Sequence, residues 1–220
     1  MRCRDLPGLD LDGLGAWLAR AGVFAAHRDL LGNRPAVDLD ECWVRRQVPT
    51  AATRPGSGPH SWHQDGALRH DFSRAADAPG QGLLTMLTCW IALTPCGLDA
   101  PGLELIRTDR LDLLTPPELR SDAIAHRFPA SAHWRPMMGI GDALVFTGDV
   151  LHRTHVDAGM THGRCSLELR FFDATRWPDR LAGDRRAEVQ ASEGAAPSLA
   201  TQAGRARSAR YARAGSPEVS

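Results

Sequence analysis

Apolar residues occur along this chain in short blocks, and the spacing within each block predicts its secondary structure. In residues 11–31 the apolar positions recur at roughly helical intervals, with Asp10 or Asp12 available to cap the start and Gly32-Asn33 to close the segment. A second helix is predicted to begin at TPPE, residues 115–118, because proline is favoured in the first helical turn.

The other apolar blocks have the length and the alternation of β-strands. They cover residues 42–48, 83–93, 102–106, 133–138, 143–146 and 166–172. Many short strands with few helices favour an antiparallel sandwich or a small barrel, so the predicted fold class is mainly β.

Nearly all of these blocks lie in residues 1–179, which we predict to form one domain. Residues 180–220 are rich in Ala, Arg, Ser, Gly and Pro and contain almost no large apolar side chains. Such a composition cannot bury enough apolar surface to fold by itself. We therefore expect a poorly ordered tail there, or at most a loosely attached helix.

The composition restricts the partners. The 220 residues are 43% hydrophobic and 24% charged, with 26 acidic and 26 basic residues. This balance predicts no nucleic-acid or membrane-surface partner, and no protein partner is evident. Every basic residue is arginine, so an anion-binding site must use Arg, His or backbone N–H groups.

The cysteines indicate the compartment. The five cysteines are dispersed and form no C-x-x-C, which argues against a disulfide framework or a structural zinc site. The N-terminus has no signal-peptide core, and no apolar run approaches the length of a membrane span. We expect the protein in the reducing cytoplasm.

The polar stretch PHSWHQDGALRHDF, residues 59–72, contains the motif H-x-D at His63-Gln64-Asp65. Residues i and i+2 of a strand point to the same side, so the imidazole and the carboxylate converge while Gln64 turns away. The motif is weak by itself, because His155-Val156-Asp157 repeats it. The flanking His60 and His70 are expected to make hydrogen bonds within the loop.

A third ligand distinguishes the two motifs. A 2-His-1-carboxylate iron site needs a second histidine on the same face of the metal. For the first motif, His152 in GDALVFTGDVLHRTH lies far enough downstream for intervening strands to return to the same place. The second motif is followed only by His162, too close to lie on a separate strand. The predicted ligands are His63, Asp65 and His152, and His155 replaces His152 if the strand register slips.

Arg164 and Thr154, both downstream of His152, are suited to binding a dicarboxylate. An enzyme that uses 2-oxoglutarate must bind its distal carboxylate, and the arginine fork matches a carboxylate. Arg164 opens the strand-like segment RCSLELRFF. Thr154 follows His152 by two positions and can donate a hydroxyl hydrogen bond to the same ligand.

WHQDG, GDALVFTGDVLHRTH and an arginine that opens the last strand together resemble the phytanoyl-CoA dioxygenase-like family of Fe(II)/2-oxoglutarate-dependent oxygenases. The resemblance spans residues 42–172 and implies a double-stranded β-helix, a cupin-like jelly roll with a few flanking helices. It implies iron held by His63, Asp65 and His152, and 2-oxoglutarate anchored by Arg164 and assisted by Thr154.

The same resemblance implies O2 as a second cosubstrate and hydroxylation of a C–H bond in a small molecule, such as a secondary-metabolite intermediate, with release of succinate and CO2. Related halogenases lack the carboxylate ligand, so Asp65 favours hydroxylation, with desaturation or cyclisation as open alternatives. Two other classes remain: a jelly-roll protein that binds a ligand without turnover, and a cupin-type metalloenzyme independent of 2-oxoglutarate.

Substrate contacts are less defined. Gln47, Arg69 and Arg107, together with Arg46, are candidates to line the open mouth of the barrel, and several arginines there would imply an anionic substrate group. Trp62 is a candidate substrate contact, although packing beside the site is the favoured interpretation.

Overall fold

The computed structural model describes residues 1–49, 58–74, 81–181 and 186–189. The helices are α1 (Leu11–Arg20), α2 (Val23–Ala26), α3 (Arg28–Leu31) and α4 (Ser121–Arg127). The strands are β1 (Pro35–Asp38), β2 (Trp43–Gln47), β3 (His63–Gln64), β4 (Leu87–Ala92), β5 (Gly102–Ile106), β6 (His133–Trp134), β7 (Ala143–Thr147), β8 (Leu151–His155), β9 (Arg164–Asp173) and β10 (Arg186–Glu188).

The strands form two antiparallel sheets. The first has the order β10-β1-β9-β4-β7, with β2 also paired to β9, and the second has the order β3-β8-β5-β6. Apolar side chains from both sheets pack together, including Trp90 of β4 and Leu103 of β5. The two sheets therefore face each other as in a jelly roll, and the predicted mainly β class is confirmed.

Strand β9 is buried on both faces, and the two faces differ in character. Its apolar side chains, Leu167, Leu169 and Phe171, join a core covered by the N-terminal helices through Leu18 and Phe24. Its polar side chains, Arg164, Ser166, Glu168 and Arg170, are also buried and lie on the opposite face, between the sheets. The alternation in RCSLELRFF thus separates an apolar face, which packs in the core, from a polar face between the sheets.

The second sheet is covered on its outer side by α4. Ile124 and Phe128 pack there against Trp62, Ile106 and Leu151. This apolar layer fixes β8 from behind, so the opposite face of β8 is directed between the sheets.

Several element boundaries differ from the sequence pattern. The predicted helix over residues 11–31 consists of three helices, because Gly22 has a positive φ of 78° that interrupts it. The second helix starts only at Ser121, since Thr115 and Glu118 hydrogen-bond each other in a turn. The strand expected over residues 133–138 is limited to β6, and β1, β3, β8 and β10 lie outside the predicted strand segments.

Beyond the boundary that we predicted at residue 179, β10 pairs with β1, and Val189 is buried in the core under the N-terminal helices. The division of the chain at this point stays a prediction. Most of the predicted tail, residues 190–220, lies outside the described residues.

Candidate metal centre

The pairing of β3 with β8 brings the H-x-D motif to the distal histidine. His63 lies directly opposite His152 in this register, and their ring centroids are 4.2 Å apart. Asp65 follows β3 as the first residue of a short 3-10 turn. One ligand atom from each of the three residues lies within 4.8 Å of the other two, and this is the only such group of His, Cys, Asp or Glu among the described residues.

Backbone hydrogen bonds orient both imidazoles toward the centre. Nδ1 of His63 contacts the Ser61 carbonyl oxygen at 2.7 Å, and Nδ1 of His152 contacts the Val150 carbonyl oxygen at 3.0 Å. A carbonyl oxygen only accepts, so each Nδ1 carries the proton and each Nε2 offers a lone pair. The two Nε2 atoms lie 3.8 Å and 4.0 Å from the Asp65 carboxylate oxygens.

The protonation states also suit a cation. Burial and the neighbouring His152 lower the pKa of His63 to about 4, and burial lowers the pKa of His152. Burial alone would raise the pKa of Asp65, but Arg170 and the two imidazoles lower it below its usual range. At neutral pH the centre has two neutral imidazoles and one carboxylate, the donor set of non-haem Fe(II) sites, so the residues fit such an ion.

Two residues that the sequence analysis missed hold the carboxylate. Nη2 of Arg170 donates to Oδ1 of Asp65 at 2.7 Å, and the Thr88 hydroxyl donates to Oδ2 at 2.7 Å. Nη1 of Arg170 donates to the Glu41 carbonyl oxygen at 2.6 Å. The alternation in SLELRFF, which places Arg170 on the same face as Arg164, is the signal that could have found this arginine.

Arg164 and Thr154 both lie between the sheets. The guanidinium carbon of Arg164 is 4.9 Å from the centroid of the Trp90 ring, and Nη1 donates to the Gly102 carbonyl oxygen at 3.2 Å. Arg164 Nε, Ser166 Oγ and Trp90 Nε1 are buried and have no hydrogen-bond partner among the described residues. Thr154 lines the metal cavity together with His152 and Trp90. Three unpaired polar atoms beside the cavity suit a polar ligand such as a carboxylate.

The predicted substrate contacts are dispersed. Gln47 is buried and lies opposite Arg164 on the inner side, whereas Arg46 is exposed on the outer side. Arg69 pairs with Glu41, and exposed Arg107 donates to the Ser131 carbonyl oxygen.

Trp62 is buried in the apolar layer under α4, with the Arg153 guanidinium 4.7 Å from its ring centroid. The side chains at the rim of the cavity are instead those of Arg45, His60 and Glu168. Of these three, the sequence pattern indicated only His60, and only as a residue that makes hydrogen bonds within the loop.

The neighbouring histidines take supporting positions. His155 contacts Asp157 at 3.6 Å and is not part of the group of three candidate ligands. His60 packs edge-on against His63, with ring centroids 5.5 Å apart, and His70 packs against Phe72. Gln64 points away from the centre and hydrogen-bonds backbone groups behind β3.

The fold is shared with solved structures of low sequence identity. EctD from S. alaskensis with bound Fe is 14% identical, with a TM-score of 0.54, covering 76% of this chain and 55% of that chain. EctD with 2-oxoglutarate and 5-hydroxyectoine is 15% identical, with a TM-score of 0.50, covering 74% and 53%.

The carbocyclase SnoK from nogalamycin biosynthesis is 18% identical, with a TM-score of 0.50, covering 80% of this chain and 70% of that chain. The present chain thus spans about half the length of the EctD chains. These likenesses confirm the jelly-roll fold.

No curated protein matches the sequence. The sequence model of the family described as phytanoyl-CoA dioxygenase matches residues 14–157, a range that contains all three candidate ligands but ends before Arg164. This match covers more than half of the chain and confirms the resemblance seen in the sequence. The chain belongs to the phytanoyl-CoA dioxygenase family.

Proposed function

We propose that the protein is an Fe(II)- and 2-oxoglutarate-dependent oxygenase that hydroxylates a C–H bond of a small molecule and releases succinate and CO2. The observation that carries this proposal is the convergence of His63, Asp65 and His152, whose ligand atoms lie within 4.8 Å of one another. Family membership supports it, because the metal motif lies inside the matched residues.

His63, Asp65 and His152 would hold the iron through two Nε2 atoms and one carboxylate oxygen. Bound Fe(II) would supply the activation of O2 that couples decarboxylation of 2-oxoglutarate to oxidation of the substrate. The protein's own part is to fix the tautomers of both imidazoles through Ser61 and Val150 and to keep Asp65 ionised through Arg170.

Arg164 would bind the distal carboxylate of 2-oxoglutarate, and Thr154 would donate to the same cosubstrate. Burial lowers the pKa of Arg164, which is 2% exposed and has no acidic hydrogen-bond partner among the described residues. An unpaired buried guanidinium is costly, and an anionic ligand removes that cost. The unpaired hydroxyl of Ser166, two residues along the same face, would add a donor.

The substrate would be a small molecule. The solved EctD structure contains 5-hydroxyectoine, and SnoK is a carbocyclase from nogalamycin biosynthesis, so related folds act on small metabolites. Asp65 favours hydroxylation over halogenation, since it occupies the position that a halide would need. Because SnoK is a carbocyclase, ring closure is the second candidate reaction.

We propose a cytoplasmic location, because all five cysteines are free thiols. No helix among the described residues is long and apolar enough to cross a bilayer.

The test is succinate formation from 2-oxoglutarate with Fe(II), O2 and candidate substrates. We expect His152→Ala to abolish both iron binding and succinate formation, whereas His155→Ala, in the second H-x-D motif, should retain both. Absence of stimulated turnover together with iron binding that does not depend on His63 would refute the proposal.

Two variants of the experiment separate the alternatives. A protein that only binds ligands would bind 2-oxoglutarate without forming succinate. A cupin-type enzyme independent of 2-oxoglutarate would retain its turnover in Arg164→Ala, whereas the proposed oxygenase would lose it.

A further inference from the structure

Arg45 is the arginine at the open rim of the metal cavity. The pairing of β2 with β9 places Arg45 opposite Ser166, on the inner face, and leaves Arg46 on the outer face. Arg45 lines the cavity with His60 and Glu168, and its side chain is 26% exposed. It is therefore accessible to a molecule that approaches the metal ligands.

The two sides of the Arg45 guanidinium have unequal partners. Nε donates to the Glu168 carboxylate at 2.7 Å, on the inner side. Nη1 contacts Nε2 of exposed His60 at 2.8 Å, and this nitrogen must accept because a guanidinium has no lone pair to offer. A carboxylate is a stronger acceptor than an imidazole and matches the guanidinium fork, so it can replace His60 at the rim.

The indole ring of Trp43 restricts the plane of the Arg45 guanidinium. The Arg45 guanidinium carbon lies 5.2 Å from the centroid of the Trp43 ring, on the same strand. Contact with an aromatic ring and a hydrogen bond from Nε restrict the rotation of the side chain. The terminal N–H groups of Arg45 are therefore held in a defined direction, which a binding site for a planar anion requires.

The charges of the interior support the same conclusion. Among the described residues between the sheets, the guanidiniums of Arg45, Arg164 and Arg170 face the carboxylates of Asp65 and Glu168. Three positive and two negative charges leave one uncompensated positive charge between the sheets. Fe(II) and the 2-oxoglutarate dianion have opposite charges of equal size, so their binding leaves this excess unchanged.

We propose that Arg45 binds a carboxylate group of the substrate at the rim of the cavity, in place of its contact with His60, so that the substrate is a monoanionic carboxylic acid. This inference rests on the function proposed above. The neutral parts of the acid would then face Trp90, Leu103 and Phe146, which line the cavity behind the metal ligands.

Straight-chain C3–C8 carboxylic acids and their primary amides are suitable probes. Binding is measured by saturation-transfer NMR on protein saturated with Zn(II), which supports no turnover, and with 2-oxoglutarate, which blocks Arg164. We expect the acids to bind about 10-fold more tightly than the amides, a difference of about 1.4 kcal/mol, because the carboxylate forms a charge-assisted hydrogen bond with the guanidinium.

Arg45→Gln should remove this preference, and Arg45→Lys should retain part of it. Arg46→Gln is the matched control, since this neighbour is exposed on the other face, and it should bind like the wild type. Equal binding of acids and amides, no binding of acids, or an unchanged preference in Arg45→Gln would each overturn the inference.

The same titration on metal-free protein separates this inference from the proposed function. If Zn(II) and 2-oxoglutarate do not bind, the proposed function fails, whereas a preference for acids that depends on Arg45 is still measurable. If both bind and the acids show no preference, the inference about the substrate fails and the proposed function stands.

Discussion

Nη2 of Arg170 lies 2.7 Å from Oδ1 of Asp65, and both side chains are buried. The carboxylate that would bind iron therefore already has a cationic partner in the metal-free protein. Burial alone would lower the pKa of Arg170, but Asp65 and Glu168 raise it above its usual range, so the guanidinium stays charged. A divalent ion at the three ligands would enter a centre whose negative charge is already balanced.

Arg170→Met tests this balance, because it removes the cation and keeps a long apolar side chain. Leaving one partner of a buried ion pair unpaired costs about 3–5 kcal/mol, so we expect the free energy of unfolding of the metal-free variant to fall by that amount. Zn(II) supplies the missing positive charge. Saturating Zn(II) should therefore raise the Tm of the variant more than that of the wild type, in thermal unfolding followed by circular dichroism.

Thr88→Val is the control for the loss of a neutral hydrogen bond to the same carboxylate. The Thr88 hydroxyl donates to Oδ2 of Asp65 at 2.7 Å but carries no charge. We expect a loss of about 0.5–1.5 kcal/mol and a Zn(II)-induced shift of Tm like that of the wild type. A Zn(II)-induced shift in Arg170→Met that is no larger than in the wild type would contradict the charge balance.

Trp90 provides a direct reporter of 2-oxoglutarate. Its ring covers the Arg164 guanidinium at 4.9 Å and lines the metal cavity, so a dicarboxylate that joins the metal to Arg164 must contact the indole. We expect 2-oxoglutarate to change the tryptophan fluorescence of the Zn(II)-loaded protein in a saturable way, and Trp90→Phe to lose this change. Trp177, which donates to the Leu181 carbonyl oxygen, is the control position, and Trp177→Phe should keep the response. A full response in Trp90→Phe would place 2-oxoglutarate elsewhere.

The grouping of His63, Asp65 and His152 was predictable from the sequence because its signals are local. His63 and Asp65 are two residues apart, and this spacing alone places both on one side of an extended chain. His152 needed only to lie far enough downstream for the intervening strands to return to the same place. The pairing of β3 with β8 then fixed the contact, and it depends on two residues of each strand.

The residues around the ligands depend on strand register, which a sequence pattern does not determine. In WVRRQ the two adjacent arginines are equivalent by composition, yet a shift of one residue exchanges inside for outside. Pairing with β9 turns Arg45 inward and Arg46 outward. Thr88 and Arg170 reach Asp65 from two further strands, so no motif connects them to the carboxylate.

Glu104 makes the stability of the second sheet dependent on pH. Its carboxylate is fully buried and contacts His133 at 2.9 Å, Arg135 at 2.9 Å and Arg153 at 2.6 Å. Burial alone would raise the pKa of Glu104, but these three partners, with His133 first, lower it below 4.5. The carboxylate therefore binds protons less readily in the folded state than in the unfolded state. Its contribution to stability is present above pH 4.5 and is lost as the pH falls through the folded pKa.

We expect Glu104→Gln to lower the free energy of unfolding at pH 7 by about 1.5–3 kcal/mol, because its partners lose a charged acceptor while the arginines stay partly exposed. The variant should also lose less stability than the wild type between pH 5 and pH 3, in urea titrations at each pH. Glu118→Gln is the matched control: its pKa is also lowered, by hydrogen bonds from Thr115, but its side chain is 46% exposed. If both variants behave alike, burial is not the source of the effect.

Gln64, the residue between the two ligands of the motif, is predicted to stabilise the strand that carries them. Its side chain donates to the carbonyl oxygens of Asp112 and Asp149 and accepts from the backbone N–H of Leu114. Gln64→Leu would remove these three bonds and leave the N–H of Leu114 buried without its partner, at about 1–3 kcal/mol for that group. Because the same bonds fix β3 from behind, we expect a lower free energy of unfolding in urea and weaker Zn(II) binding by calorimetry. Gln81→Leu is the control, since Oε1 of Gln81 is buried without a partner among the described residues and its loss should leave both quantities unchanged.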